Sequence, residues 1–234
     1  MIYNKLRNSN IDGGIDITFP HKKTSKLFEI YSFLIIKDIF EELGFNWSDG
    51  WLRARDIKDV FNASLESGDC IILTKLDYSV VITYDKYLNT PSEVSNSEDS
   101  QIVASQVSSN RRPDILISLY KGEELRGCEV VEVKYRKKSY IYNNKGIDTD
   151  VCKQLIAYTQ LEYYDANIKK VSRIKPVYKV LTIFPKQDDE GVFAHKNYDI
   201  LFVPIMPEEE LNSKCYGYEY LKKELIEFID EFSY

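Results

Sequence analysis

Three residues near the middle of the 234-residue chain have the types and spacing to work on a phosphodiester. Asp114 follows Arg112 and Pro113, and seventeen residues then separate it from the run Glu132-Val133-Lys134. Side chains alternate along a strand, so Glu132 and Lys134 share a face. Two carboxylates converging from neighbouring strands suit a hard divalent cation. Mg2+ takes oxygen ligands, commonly one or two carboxylates with water and phosphate oxygens completing its shell, and Mn2+ is expected to substitute. The carbonyl of Val133 is a further candidate ligand. Such a metal acidifies water and stabilises charge on a scissile phosphate. An ammonium at Lys134 would orient that water and neutralise the crowded phosphate of the transition state. The chemistry expected is phosphodiester hydrolysis. The alternative is a solvated Glu132–Lys134 pair on an exposed strand, because an aspartate followed at a distance by E-x-K is a loose pattern. Val130, Val131 and Val133 weigh against it. They imply a buried strand interior, where a charge is costly unless paired or metal-bound.

The elements that must hold these residues are readable from periodicity. Ser25 to Phe45 repeats apolar residues at helical spacing, with Ser25 a candidate cap and Gly44 in the position of a terminating glycine. Asp69–Lys75 and Tyr78–Asp85 are rich in β-branched residues and form an expected hairpin across Leu76-Asp77, which is not a preferred turn pair. A weaker strand is expected over Lys58 to Ser64. Asn89 to Asn110 is rich in Ser and Asn and reads as a long mobile loop. Ile115–Tyr120 and Cys128–Tyr135 read as a second hairpin joined by the polar stretch Lys121–Gly127, and it places Asp114 beside Glu132. Asp148 to Asp165 reads as a helix capped by Asp148 or Thr149. Pro176–Phe184 and Ile200–Val203 read as strands. Tyr218–Phe232 is an amphipathic helix whose apolar stripe is expected to join the core. The whole predicts one α/β domain over residues 1–234, with a central mixed β-sheet flanked by helices.

The segments RRPDILISL and CEVVEVKYRKK, in this order, resemble the PD-(D/E)XK nuclease superfamily, and more narrowly the McrC-like nuclease domains of restriction systems. Phe28-Glu29-Ile30-Tyr31, Leu43-Gly44-Phe45 and Gln154 to Tyr158 match further motifs of that family in family order, over residues 25–160. The resemblance implies a restriction-endonuclease-like core, Mg2+-dependent DNA cleavage and a role in restriction or defence against foreign DNA. It implies that Glu29 is a carboxylate of the first helix near the metal site. Gln154 and Tyr158, four apart on one helical face, would flank the substrate phosphate. Tyr31 stands near a position the family often fills with Trp. McrC-like proteins usually carry an N-terminal region that engages a GTP-driven partner, for which this chain has no room. A free-standing relative, a subunit and a fragment all stay open, as do an NTPase or specificity subunit and a homodimer as partners.

Charge is distributed to match. The chain carries a net −6, yet residues 111–175 hold 14 Lys and Arg against 9 Asp and Glu, and the remainder holds 17 against 28. A local basic surface steers a polyanion even on an acidic protein. Arg111 and Arg112 precede the motif, and Arg136, Lys137 and Lys138 follow it with Tyr135 and Tyr140 interleaved. These are expected to contact DNA phosphates without reading sequence. Lys169, Lys170, Arg173 and Lys175 form a second cluster that points neither way. The four cysteines show no C-x-x-C spacing, and with only two histidines a zinc site is not expected. No apolar run approaches a membrane span, and the N-terminus lacks a signal-peptide core, so a cytoplasmic protein is expected. Two rival functions remain. One is a repair or recombination nuclease on the same fold, which would prefer branched or single-stranded DNA. The other is a non-catalytic subunit that binds DNA or a partner, to which two converging carboxylates and a lysine would be of no use.

Overall fold

The computed structural model describes residues 23–52, 65–104, 112–142, 149–187, 191–208, 210 and 213–233. Helix α1 (Thr24–Glu42) leads into strand β1 (Asn46–Gly50) and then the hairpin β2 (Cys70–Lys75) and β3 (Tyr78–Tyr84). A one-turn helix α2 (Pro91–Val94) and the short β4 (Gln101–Val103) precede the second hairpin, β5 (Ile115–Lys121) and β6 (Glu124–Val133). Helices α3 (Lys138–Ile141) and α4 (Asp150–Tyr158) follow, then β7 (Glu162–Asp165), β8 (Lys170–Val171), β9 (Val177–Pro185), β10 (Phe193–Ala194), β11 (Ile200–Ile205) and the closing helix α5 (Tyr218–Phe232).

Eight strands form one mixed sheet in the order β1-β2-β3-β5-β6-β9-β11-β10. The half from β1 to β6 is antiparallel, and β6, β9 and β11 run parallel. Parallel neighbours need a crossover, and α4 lies in the one between β6 and β9. Both faces of the sheet are covered, so its strands are apolar almost continuously rather than alternately. On one face Phe33, Ile36 and Phe40 of α1 and Leu221, Leu225 and Phe228 of α5 pack over Ile117, Val131, Val133 and Ile183. On the other face Val151, Leu155 and Tyr158 of α4 pack over Leu116, Val130, Val180 and Phe202. The apolar stripe of α5 therefore belongs to the core, as its periodicity predicts.

Gly44 ends α1 with φ +86°, and Thr149 caps α4 by accepting from the Cys152 N–H at 3.0 Å. Gly127 is required by proximity rather than by backbone angle. A Cβ there would lie 2.4 Å from the Phe232 ring, so only hydrogen lets α5 seat on β6. The cysteines are unpaired, with three buried and Cys70 half-buried.

The sequence reading of the elements needs four corrections. Ser25, expected to cap α1, is its second residue, and the N-cap is Lys23 with no side-chain cap bond. The helix expected over Asp148–Asp165 stops at Tyr158, and Glu162–Asp165 is strand β7. Its paired tyrosines suit a pleated surface better than a continued helix, and they gain partners in β4. The long mobile loop expected over Asn89–Asn110 is structured as far as it is described. Thr90 and Glu93 form a capping box for α2, and β4 pairs with β7. Val94 and Val103, few apolar residues in a polar run, bury against Tyr164 to make a small separate core. The polar connection Lys121–Gly127 shrinks to a turn at Gly122 and Glu123, because the ladder runs on to Lys121↔Glu124 after a bulge at Leu119/Tyr120. The strand expected over Lys58–Ser64 and the remainder of the 89–110 segment lie outside the described residues. Among the described residues no helix is long and apolar enough to cross a membrane.

Candidate active site

The second hairpin brings the chemical residues together. Ile115 pairs with Val131, so Asp114, one residue before β5, meets Glu132 and Val133 on β6. The Val133 N–H donates to Asp114 Oδ2 at 2.7 Å, and the Asp114 N–H makes a long contact to Glu132 Oε2 at 3.4 Å. The Lys134 N–H instead donates to the Ile183 carbonyl at 2.8 Å on β9. Neighbouring residues of a strand point their backbone groups to opposite edges, so the Val133 carbonyl faces the Asp114 side with its own N–H. Lys134 and Glu132 share a face, and the Lys134 ammonium donates to Glu132 Oε1. The site thus stands at the carboxyl ends of the parallel strands β6 and β9, where open α/β sheets present their ligands.

Glu132 is 1% exposed, and its partners are Asp114, Lys134 and Gln154. Gln154 of α4 donates to Glu132 Oε1 at 2.9 Å and to the Tyr158 hydroxyl at 2.9 Å. Burial is the largest cause raising both carboxyl pKa values above their ordinary range. For Asp114 the charge of Glu132 adds to it, while Lys134 and the Val133 N–H oppose. For Glu132 the Lys134 ammonium is the main opposing influence, and it does not win. Two buried like charges this close favour a shared proton or a cation between them. Glu29 adds a third negative charge that raises both. It is held on α1 by the Tyr84 hydroxyl and by Lys26 at 3.8 Å. Burial, and then the bond to Glu29, raise the Tyr84 phenol as well.

The structure brings Asp114, Glu132, Val133, Lys134 and Gln154 into one constellation, with Glu29 beside it. The proposed DNA contacts divide. Arg136 and Lys137 are exposed just beyond Lys134. Lys138 lies 4.0 Å over the Phe193 ring. Arg112 is engaged by Asp85 and by Ser67 at 3.1 Å, which makes it a clasp between loops beside the site rather than an open phosphate contact. Tyr158 is fully buried, so the reading of it as a DNA contact is corrected: it buttresses Gln154 from within the core. Arg111 lies outside the described residues.

Thr182 is a residue that pattern reading missed. It stands opposite Glu132 in the β6–β9 register, is fully buried, and its hydroxyl has no partner among the described residues. The signal was a single hydroxyl inside the apolar run Val180-Leu181-Thr182-Ile183-Phe184. Glu129 is the other unexpected group. Being three residues from Glu132 puts it on the opposite face, toward α5. It is fully buried with both carboxylate oxygens unpartnered among the described residues. Burial, then the charge of Glu224, raise its pKa well above the usual glutamate range despite the attraction of Lys179.

The donor set can be tested against a divalent cation on these observations alone. Asp114 and Glu132 are hard oxygen donors whose proximity is electrostatically unfavourable without a cation, and one carbonyl faces the same edge. Among the described residues no group of three or more His, Cys, Asp and Glu is assembled to hold a metal. Two carboxylates fit Mg2+, which keeps water and phosphate oxygens in its shell, and do not fit zinc. Compared with known protein families and with curated proteins, the chain matches no family model and no curated sequence.

Proposed function

We propose that the protein is a Mg2+-dependent DNA endonuclease of the restriction-endonuclease type, acting in restriction or defence against foreign DNA. The observation that carries the reading is the convergence of Asp114 and Glu132, both raised in pKa by burial, with Lys134 donating to Glu132 at the open end of the sheet. A structural ion pair would need only one carboxylate for one ammonium. Asp114, Glu132 and the Val133 carbonyl would hold the cation. When bound, it supplies charge neutralisation at the scissile phosphate and an acidified water. Val133 fixes the Asp114 carboxylate through its N–H, so one oxygen of Asp114 is left to point into the site. Gln154 and Lys134 both anchor Glu132 Oε1, which leaves Oε2 turned toward Asp114. Lys134, 17% exposed at its side chain, sits at the boundary of protein and solvent, where its ammonium can orient a water and meet charge developing on a phosphate oxygen. Arg136 and Lys137 supply exposed positive charge along the approach.

The test is cleavage of supercoiled and linear DNA with Mg2+ or Mn2+ by the wild type, Asp114→Ala and Lys134→Ala, with circular dichroism to show that the variants fold. Metal-dependent cutting lost in both variants supports the reading. Cutting that survives Lys134→Ala undiminished would refute the assignment of the site.

A further inference from the structure

Beyond Lys134 the chain builds a cavity of about 380 Å3 lined by Tyr135, Arg136, Lys137, Tyr140, Pro185 and Gln187. Pockets of about 300–1,000 Å3 accommodate small ligands and parts of larger ones. Its place follows from the sheet. Val133 pairs with Ile183 in the parallel β6–β9 register, so Tyr135 and Pro185 leave the two strands side by side, immediately past Glu132 and Thr182. Tyr135 lies three residues beyond Glu132, just past the end of β6, where the Arg136 N–H donates to the Lys134 carbonyl at 2.7 Å and turns the chain.

The lining has two components. Tyr135 and Tyr140 are 48% and 67% exposed and line the same pocket. Tyr135 is steadied by the Phe28 ring at 5.5 Å, whereas Tyr140 meets no other ring among the described residues. Arg136 and Lys137 are exposed and enter no ion pair among the described residues. Aromatic rings stack bases, and unpaired cations track the phosphates between them, which is how single-stranded nucleic acid is held. A base inside a duplex reaches such a ring only when flipped out, at an unpairing cost that a single strand does not meet. Phosphate contacts alone would need the charges and not the exposed rings.

We infer that this cavity receives one nucleobase of the DNA strand being cut, held out of the base stack beside the scissile bond. The inference rests on the nuclease reading for its substrate, and it is tested without cleavage. The full-length protein in EDTA is titrated into a fluorescein-labelled thymidine oligonucleotide and into a blunt duplex of the same length, followed by anisotropy. The wild type binds the single strand more tightly. Tyr140→Ala weakens single-strand binding about 5- to 150-fold, the range for loss of one stacked base. It leaves duplex binding unchanged, and Tyr140→Phe, which keeps the ring, restores the single-strand affinity. Equal affinity for the two ligands, an equal loss on both in Tyr140→Ala, or no loss at all would overturn the inference. Tighter binding of a uridine ribo-oligonucleotide than of the thymidine strand would overturn the assignment to DNA. Lys134→Ala, which should keep single-strand binding in the same titration while losing metal-dependent cutting, separates the two claims. Retained single-strand binding with no metal-dependent cutting by the wild type would leave the base pocket standing and the nuclease reading refuted.

Discussion

Replacing Asp114 by Asn isolates the charge that the site is built around. Asn keeps an oxygen to accept the Val133 N–H bond of 2.7 Å while removing one of the two buried carboxylates. Asp114 and Glu132 both have folded pKa values above their ordinary ones, through burial first. Their contribution to stability is therefore full below the ordinary carboxylate range and is lost as pH rises through the raised values. For each pH unit in which the native pair holds one proton that the unfolded chain has released, unfolding free energy falls by about 1.4 kcal/mol. For a chain of this length that is about 3–6 °C in Tm. Asp114→Asn removes one such proton, so the metal-free variant should lose Tm with pH more slowly and exceed the wild type in stability at the alkaline end. Mg2+ at tenfold over its Kd should raise the wild-type Tm by a similar amount, since ligand binding at that excess contributes about 1.4 kcal/mol. At a fixed Mg2+ concentration the rise should grow with pH because the cation displaces protons and its Kd falls. Thermal unfolding in EDTA and in Mg2+, at pH values one unit apart through the neutral range, reads all of this. Parallel pH slopes for the two proteins, or an equal Mg2+ shift in both, would refute the argument that these carboxyls share a buried charge and a cation.

Three further outcomes follow from residues other than the proposed metal ligands. Glu129 has a raised pKa too, so its stabilising contribution is present below the usual glutamate range and disappears as pH climbs through the raised value. Urea melts of Glu129→Gln should show a pH slope smaller by about 1.4 kcal/mol per unit, and an unchanged slope would mean Glu129 is ionised in the fold. Gly127→Ala forces a Cβ to 2.4 Å from the Phe232 ring and should lower stability by about 1–3 kcal/mol. Combining it with Phe232→Leu should recover part of that loss in a double-mutant cycle, and strict additivity would show that the clash is relieved elsewhere. Thr182→Val removes a buried hydroxyl that has no partner among the described residues, so metal-free stability should hold or rise by about 1 kcal/mol, and a clear fall in the EDTA melt would reveal a hidden partner.

The hairpin that carries the site could be read from sequence because everything it needs is local. Alternation fixes Glu132 and Lys134 on one face, and a short connection returns the chain to Asp114. The two long helices were legible for the same reason, their periodicity being internal. What was not legible depends on distant partners. Strand β4 exists because β7 pairs with it, and nothing inside Gln101–Val103 announces that. Arg112 reads as free positive charge until Asp85, from the far end of β3, arrives beside it. Tyr158 reads from the family resemblance as flanking the substrate phosphate beside Gln154, and only the packing of α4 on β6 and β9 buries it. Thr182 gains meaning only from the β6–β9 register.

The mixed character of the sheet has a consequence for how the protein reaches this state. The β5–β6 hairpin closes a short loop, so Asp114 and Glu132 can meet early, while water still surrounds both and their repulsion is small. The β6–β9 pairing closes a much longer loop and, being non-local, forms late. Only then do Thr182, Gln154 and the α4 face cover the carboxyls and make their closeness costly. If that pairing follows the rate-limiting step, the electrostatic cost of the site accrues after it. A substitution that relieves it, such as Asp114→Asn, should slow unfolding and leave the folding rate nearly unchanged. The residues that make the site demanding are then a determinant of how long the native state lasts, and have little part in how fast it is found.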